Sequence, residues 1–359
     1  MIIRFLKKQK ILICSTLSLF IIITFFLLYP LKPIRIVNNK QLQQTTKEKA
    51  CFVILIRNEE LDGIVSTMSQ IENTFNSKYH YPYIFLNDQD FTPIFIRTVS
   101  SITNARVLFG KLNETMWGYP EFINQTYAAE CRQKMAEQNI PYATSESYRH
   151  MCRFQSGYFF RHPLLDEFDY YWRLEPYVDY YCQIDYDVFE YMRKSKKRYG
   201  FNIAYKEHIE TVPSLWDTVM NFTKEYPQLL PNRNETLFQF VTSDNGVTYN
   251  TCHFWSNFEI GDLSLWRSEA YLKLFDYLDK SGGFYYERWG DAPVHSIAAS
   301  LLLHKDEFHF FNDIGYRHSA YTHCPIEEEF RTKCSCDPSK NFDFIPNLSC
   351  LPIYKSALM

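Results

Sequence analysis

Four segments of this chain concentrate the residues that could do chemistry. The first runs from Tyr170 to Phe189, YYWRLEPYVDYYCQIDYDVF, and sets Arg173, Glu175, Asp179, Asp185 and Asp187 among large aromatic side chains. Carboxylates in such a run can hold a hard divalent cation, since Mg²⁺ and Mn²⁺ favour oxygen ligands and Mn²⁺ also accepts imidazole. An enzyme that consumes a sugar nucleotide needs such a cation to neutralise the departing diphosphate. Glu175 precedes Pro176, which forces extended backbone there. The plainer reading of the same residues is a solvated acidic stretch beside a strand.

The second segment, His253 to Arg267, places Glu259 and Asp262 between Trp255, Phe258 and Trp266. A carboxylate held among aromatics is a candidate nucleophile or acid/base; the alternative is the start of an amphipathic helix with Asp262 as its cap. In the third, Tyr285 to His295, Gly290 and Pro293 mark a turn into a helix running through Ser300. Glu287, Arg288 and Asp291 stand at its entrance, where Asp291 either caps the helix or holds a sugar hydroxyl. The fourth, Asp313 to Pro325, carries His318 and His323, each a metal-ligand candidate or a structural histidine.

These segments need elements to position them. Cys51 to Ile56 is a short apolar run rich in β-branched residues and predicts a buried strand. From Glu59 to Phe75, apolar residues at Leu61, Ile64, Val65, Met68, Ile71 and Phe75 recur at spacings of three and four, one face of a helix. Tyr83 to Leu86 is a second strand, ending at Asn87-Asp88. This β-α-β opening is that of a nucleotide-binding α/β domain. No GxGxxG or GxxxxGK[ST] follows the first strand, which argues against dinucleotide enzymes and P-loop NTPases. Arg57 stands there instead, at the strand end where ligands bind in open α/β sheets, and could face a diphosphate or a base; a surface charge at a helix start is the alternative.

Composition narrows the class. The chain has 359 residues, 46% hydrophobic and 22% charged, with a formal net charge of −3. This is a folded protein without the basic face that nucleic acid requires. Residues Ile11 to Tyr29 form an uncharged apolar stretch preceded by Arg4, Lys7, Lys8 and Lys10. As a helix it would span roughly 28 Å, near a bilayer's hydrocarbon thickness, with the basic flank cytoplasmic. The expected organisation is a cytoplasmic tail over 1–10, a transmembrane signal anchor over 11–29, a polar stem over 30–49 and a lumenal catalytic domain over 50–359. Ten cysteines and five N-glycosylation sequons, at Asn113, Asn124, Asn221, Asn234 and Asn347, agree with an oxidising compartment. Cys334 and Cys336 are too close to bridge each other, and the odd count after Cys14 leaves at least one thiol free.

The chemistry-bearing segments, taken in order with LIRNEELDGIVSTM, YHYPYIFLND and YRHMCRFQSGYFFRHPLL, resemble the fungal α-1,2-mannosyltransferases, glycosyltransferase family 15, from about Cys51 to Pro325. The resemblance implies a GT-A-like α/β fold with a mixed central sheet flanked by helices. It implies GDP-mannose as donor, Mn²⁺ as cofactor, retention of anomeric configuration, and type II anchoring in the Golgi membrane. Glu175 and His318 would contact the metal, Glu259 is the candidate nucleophile, and Tyr148 lies at the donor site. Arg57, Arg173 and Asp291 complete the expected substrate- and nucleotide-binding set. The acceptor would be a mannosylated glycoprotein, with O- or N-linked chains and cell-wall mannan both open. Retention could follow from two displacements through Glu259 or from same-face attack. The rival readings are mannosylphosphate transfer from the same donor and an inactive glycan-binding Golgi protein. One departure stands out: Gln183 occupies a position where family members usually carry Asp.

Overall fold

The computed structural model describes residues 47–359. The expected tail, anchor and most of the stem lie outside these residues. Among the described residues no helix is long and apolar enough to cross a membrane.

The opening follows from burial. Strand β1, Ala50–Leu55, is enclosed along almost its whole length, as expected of a strand covered on both faces. Helix α1, Leu61–Ile71, returns over it with Ile64, Met68 and Ile71 inward. The helical path continues through a wider turn, Glu72–Asn76, and stops at His80, whose φ of 54° is left-handed. Strand β2, Tyr83–Asn87, then pairs parallel with β1. Helix α2, Pro93–Ile102, starts on Thr92, whose side chain accepts from the Phe95 N–H, and leads to β3, Val107–Lys111.

Helices α3, Gln125–Glu137, and α4, Glu146–Gly157, precede β4, Tyr170–Arg173, and β5, Val178–Tyr180. Helix α5, Val188–Lys194, leads to β6, Tyr199–Phe201, and β7, Ala204–Lys206. After α6, Leu215–Glu225, come β8, Cys252–Phe254, and β9, Glu259–Asp262. Helices α7, Glu269–Ser281, and α8, Asp291–Leu302, precede β10, Phe308–Phe310. A hairpin of β11, Tyr316–His318, and β12, Tyr321–His323, and a last helix α9, Leu351–Ala357, complete the chain.

The main sheet has the order β10-β6-β9-β4-β1-β2-β3. Strands β4, β1, β2 and β3 run parallel, and β9 is antiparallel to both β4 and β6. The expected mixed α/β sheet is what forms. A small antiparallel sheet, β12-β11-β5, stands beside it, and β7 pairs with β8.

Disulfides join Cys182 to Cys334, Cys324 to Cys336 and Cys252 to Cys350. Cys334 and Cys336 therefore pair elsewhere, as expected, and Cys51, Cys131 and Cys152 stay as buried thiols. All five sequon asparagines are exposed.

Gly157 closes α4 against α7. A Cβ built there would lie 1.9 Å from the Phe275 ring. Overpacking of this kind costs about 1–3 kcal/mol. Gly157→Ala is expected to lower the unfolding free energy by that amount, seen in urea as a lower midpoint at an unchanged m-value.

Candidate active site

Strands β1, β2 and β4 end on one edge of the sheet, and the N-terminal turns of α4 rise beside it. Between them lies a cavity of about 340 Å³ whose walls include Arg57, Asn87, Tyr148, Arg173, Glu175 and Asn257. Four of the expected site residues, Arg57, Tyr148, Arg173 and Glu175, thus face one space.

Arg173 ends β4 and is 6% exposed. Its Nε donates to Glu175 Oε1 at 2.6 Å and its Nη1 to Asp291 Oδ2 at 2.5 Å. Ser256 Oγ donates to the same Asp291 oxygen at 2.8 Å. Burial disfavours the charge on all three ionisable groups, and their mutual attraction opposes it. For Arg173 the two carboxylates win and hold its pKa well above the usual guanidinium value. For Asp291 burial is outweighed by Arg173, His295 and Ser256, and its carboxyl falls below the usual range. Glu175 goes the other way: burial pushes its carboxyl up despite Arg173. Asp291 opens α8, but Gly290 is the capping residue, so the cap reading of Asp291 gives way to the ion pair.

Glu259 lies on a strand, not at a helix start, and pairs in register with Arg173 across β4 and β9. Asp262 does cap the short helix that follows, accepting from the Ser264 N–H. Glu259 is 1% exposed and does not line the cavity. Tyr171 Oη donates to Oε1 at 2.5 Å, Tyr199 Oη to Oε2 at 2.8 Å, and His295 Nδ1 lies 2.9 Å from Oε2. His295 Nε2 faces the Gln155 carbonyl at 3.1 Å, which can only accept, so Nε2 carries a hydrogen. Gly261 leaves room for this arrangement, since a Cβ there would sit 2.7 Å from the Tyr171 ring.

Tyr148 stands on α4, whose cap Ser145 accepts from the Tyr148 N–H. Tyr142 stacks on its ring at 4.5 Å, and the Arg288 guanidinium lies 5.2 Å from the ring centroid. Arg57 donates through Nη2 to Ser147 at 2.8 Å, which aims it along the cavity rim.

His318 is not among the cavity walls. It pairs with Val178 across β11 and β5, three residues after Glu175 in the chain, so the small sheet carries it toward that carboxylate. Its ring stacks on Trp255 at 4.9 Å, and its Nδ1 is buried without a partner. Burial, with Arg173 and Arg317 nearby, pushes its pKa down to about 4. A neutral imidazole with an unmet nitrogen, and a carboxylate raised by burial, are the donor types a divalent cation satisfies. Among the described residues no group of three or more His, Cys, Asp or Glu forms a metal cage. Glu175 and His318 would therefore leave most of a coordination sphere to ligand oxygens and water.

The remaining sequence candidates are structural. Asp179 pairs with Arg317, Asp185 with Lys333, Asp187 caps α5, and His323 pairs with Asp343. Gln183 is exposed, and its N–H donates to the Lys333 carbonyl, so the departure from the family pattern falls outside the cavity. Residues not foreseen as site residues are Asn87, Asp88, Ser147 and Asn257 in the walls, and Tyr171, Tyr199 and His295 around Glu259. Asn87-Asp88 had a usable signal, the end of a parallel strand, which also singled out Arg57.

The family model described as glycolipid 2-alpha-mannosyltransferase matches residues 30–358. The chain belongs to this family. A glycolipid 2-alpha-mannosyltransferase of Saccharomyces cerevisiae is 53% identical over 83% of this chain and 67% of its own length. Glycolipid 2-alpha-mannosyltransferase 2 of Candida albicans is 51% identical over 83% of this chain and 65% of its own, so the chain spans about two thirds of these relatives. Core-mannan synthase A of Aspergillus fumigatus, solved in an Mn/GDP form, superposes with a TM-score of 0.82 at 40% identity, covering 88% of this chain and 86% of that one. The mannosyltransferase Ktr4p of Saccharomyces cerevisiae, in complex with GDP, gives 0.83 at 40% identity over 87% and 82%. The mixed α/β fold is thus the fold of solved family members.

Asp291→Asn would leave the buried guanidinium with one carboxylate. Breaking a buried pair costs roughly 3–5 kcal/mol. Chemical denaturation of the variant should show a loss of that size, and a loss under about 1 kcal/mol would mean Arg173 does not depend on Asp291.

Proposed function

We propose that this chain transfers a mannosyl residue from GDP-mannose to a mannose-containing O- or N-linked glycan with retention, forming an α-1,2 linkage. It would do so in the Golgi lumen, held by a single-pass type II anchor over 11–29. The observation that carries this reading is the cavity at the β1, β2 and β4 ends, where Arg173 binds Glu175 and Asp291, in a chain 40% identical to a relative solved with Mn and GDP.

Glu175 and His318 would hold Mn²⁺, which when bound supplies Lewis-acid stabilisation of the diphosphate leaving group. Arg57 and the α4 N-terminal turns bring positive potential to the same wall. Tyr148 forms a flat surface between Tyr142 and Arg288 and excludes water from the donor side. Arg173 fixes the Glu175 carboxylate and cannot itself lose a proton.

Both Glu259 oxygens already accept hydrogen bonds, and the residue sits behind the cavity wall. This favours same-face attack, with the leaving phosphate taking the acceptor's proton and Glu259 stabilising positive charge from beneath Arg173. For the acceptor, Tyr205, Trp255 and Tyr321 form a half-buried aromatic group beside His318, with ring centroids 5.4 to 5.6 Å apart. The Tyr205 and Tyr321 hydroxyls and the Trp255 N–H have no protein partner among the described residues, so they are free for sugar hydroxyls.

Two measurements test this. Glu175→Gln and His318→Ala should each reduce Mn²⁺-dependent mannosyl transfer by about 10²-fold or more. In the unaltered protein, Mn²⁺-dependent GDP binding should hold between about pH 7.5 and 6.5, because His318 titrates well below the ordinary histidine value of roughly 6.5. A tenfold loss across that step would sink the His318 assignment. Glu259→Gln tests the nucleophile route: turnover within about tenfold of the unaltered protein, roughly 1.4 kcal/mol, excludes a required nucleophile.

A further inference from the structure

A second groove, of about 650 Å³, shares no lining residue with the active-site cavity. Phe238, Pro352 and Ile353 contribute its apolar part. Around them stand the polar side chains of Gln239, Asn245 and Lys305, for which no protein hydrogen-bond partner exists among the described residues. Its size lies in the range of roughly 300–1,000 Å³ typical of ligand pockets. Apolar floor and unpaired polar rim together match the alternating C–H faces and hydroxyls of a sugar.

The rim also contains Asn234. This asparagine is exposed, sits in the short turn Arg233–Glu235, and heads an Asn-Glu-Thr sequon. Among the described residues its side-chain amide has no hydrogen-bond partner. The other sequon asparagines differ. Asn113 and Asn124 use their Oδ1 to accept backbone N–H groups, Asn221 lies within α6, Asn347 is left-handed with φ 64°, and none borders the groove.

We infer that Asn234 is N-glycosylated and that the core sugars of its own glycan occupy this groove. The covalent step is ordinary N-glycosylation by a lumenal transferase. The Asn234 Nδ2–C1 bond forms, the bond from C1 to a lipid-linked diphosphate breaks, and Nδ2 gives up one proton. In the folded chain the Thr236 hydroxyl donates to the Arg233 carbonyl and accepts from the Phe238 N–H, so attachment precedes closure of this turn. The first sugar then lies at the groove mouth because Asn234 does. Seated there, it covers Ile353 on α9 and ties that helix to the segment after α6. The inference rests on the lumenal exposure proposed above and is independent of the donor chemistry.

The test uses the full chain made in a glycosylating eukaryotic host. Glycopeptide mass spectrometry should find a glycan at Asn234. Under native conditions an endoglycosidase that cuts the core should release it about tenfold more slowly than the glycan of Asn221, with the difference lost on denaturation. Asn234→Gln should lower Tm by about 2 °C in this host, and by nothing when both proteins come from a host that does not glycosylate. A bare Asn234 alongside modified Asn221 overturns the inference and leaves lumenal exposure standing. So does native release at equal rates with an unchanged Tm. If all five sequons are bare, the lumenal reading falls as well, while the GDP assays above are untouched.

Discussion

The guanidinium of Arg173 is the constraint around which this molecule is arranged. It is a buried cation at the end of a central strand, and a lone charge there would be unsupportable. Glu175 and Asp291 meet it from two directions, one from the loop after β4 and the other from the first turn of α8. The pair thereby fixes where α8 begins and which way the Glu175 carboxylate points. Ser256 joins from the turn between β8 and β9. Three separate parts of the chain are located by one side chain.

The balance of charge at this point has a consequence. One guanidinium faces two carboxylates, a formal excess of one negative charge. Asp291 has its charge well supported and Glu175 does not. The residue left short of positive partners is the one that opens on the cavity. The small sheet brings a neutral histidine toward the same place. The position of His318 relative to Glu175 therefore depends on how the small sheet is docked. The Cys182–Cys334 bridge fastens the segment that follows β12 to Cys182, two residues past β5, and Cys324–Cys336 ties that segment back to the end of β12.

Much of the frame was legible in the sequence. The β1-α1-β2 opening was readable because its strand is buried on both faces and its helix keeps three- and four-residue spacing. The edge bearing Arg57 and Asn87 follows from strand direction alone. Strand β9 was not readable. Its four residues put Glu259 and Gly261 on one face, a pattern that looks polar and breaks strand propensity. The face is nevertheless buried, because Tyr171, Tyr199 and His295 supply donors from three distant segments. Disulfide pairing failed to show for the same reason: the partners are 152, 98 and 12 residues apart, and only the tertiary fold selects among them. The sequence pattern of His318 carried no more information than that of His323, yet one has an unmet ring nitrogen and the other is saturated by Asp343 and the Asn312 carbonyl.

That contrast bears on how buried polar groups divide between structure and chemistry. Glu259, Asp291 and His323 have their hydrogen-bonding capacity met within the chain, and they hold strands and helices in place. His318 does not: its Nδ1 is buried without a partner. A folded chain tolerates few unmet buried groups, since each costs about 1–3 kcal/mol. His318 Nδ1 is one such group, on the strand beside the loop that carries Glu175. Arg173 and Glu259, neighbours across β4 and β9, are held by partners within the chain, whereas Glu175 opens on the cavity and His318 keeps a ring nitrogen unmet.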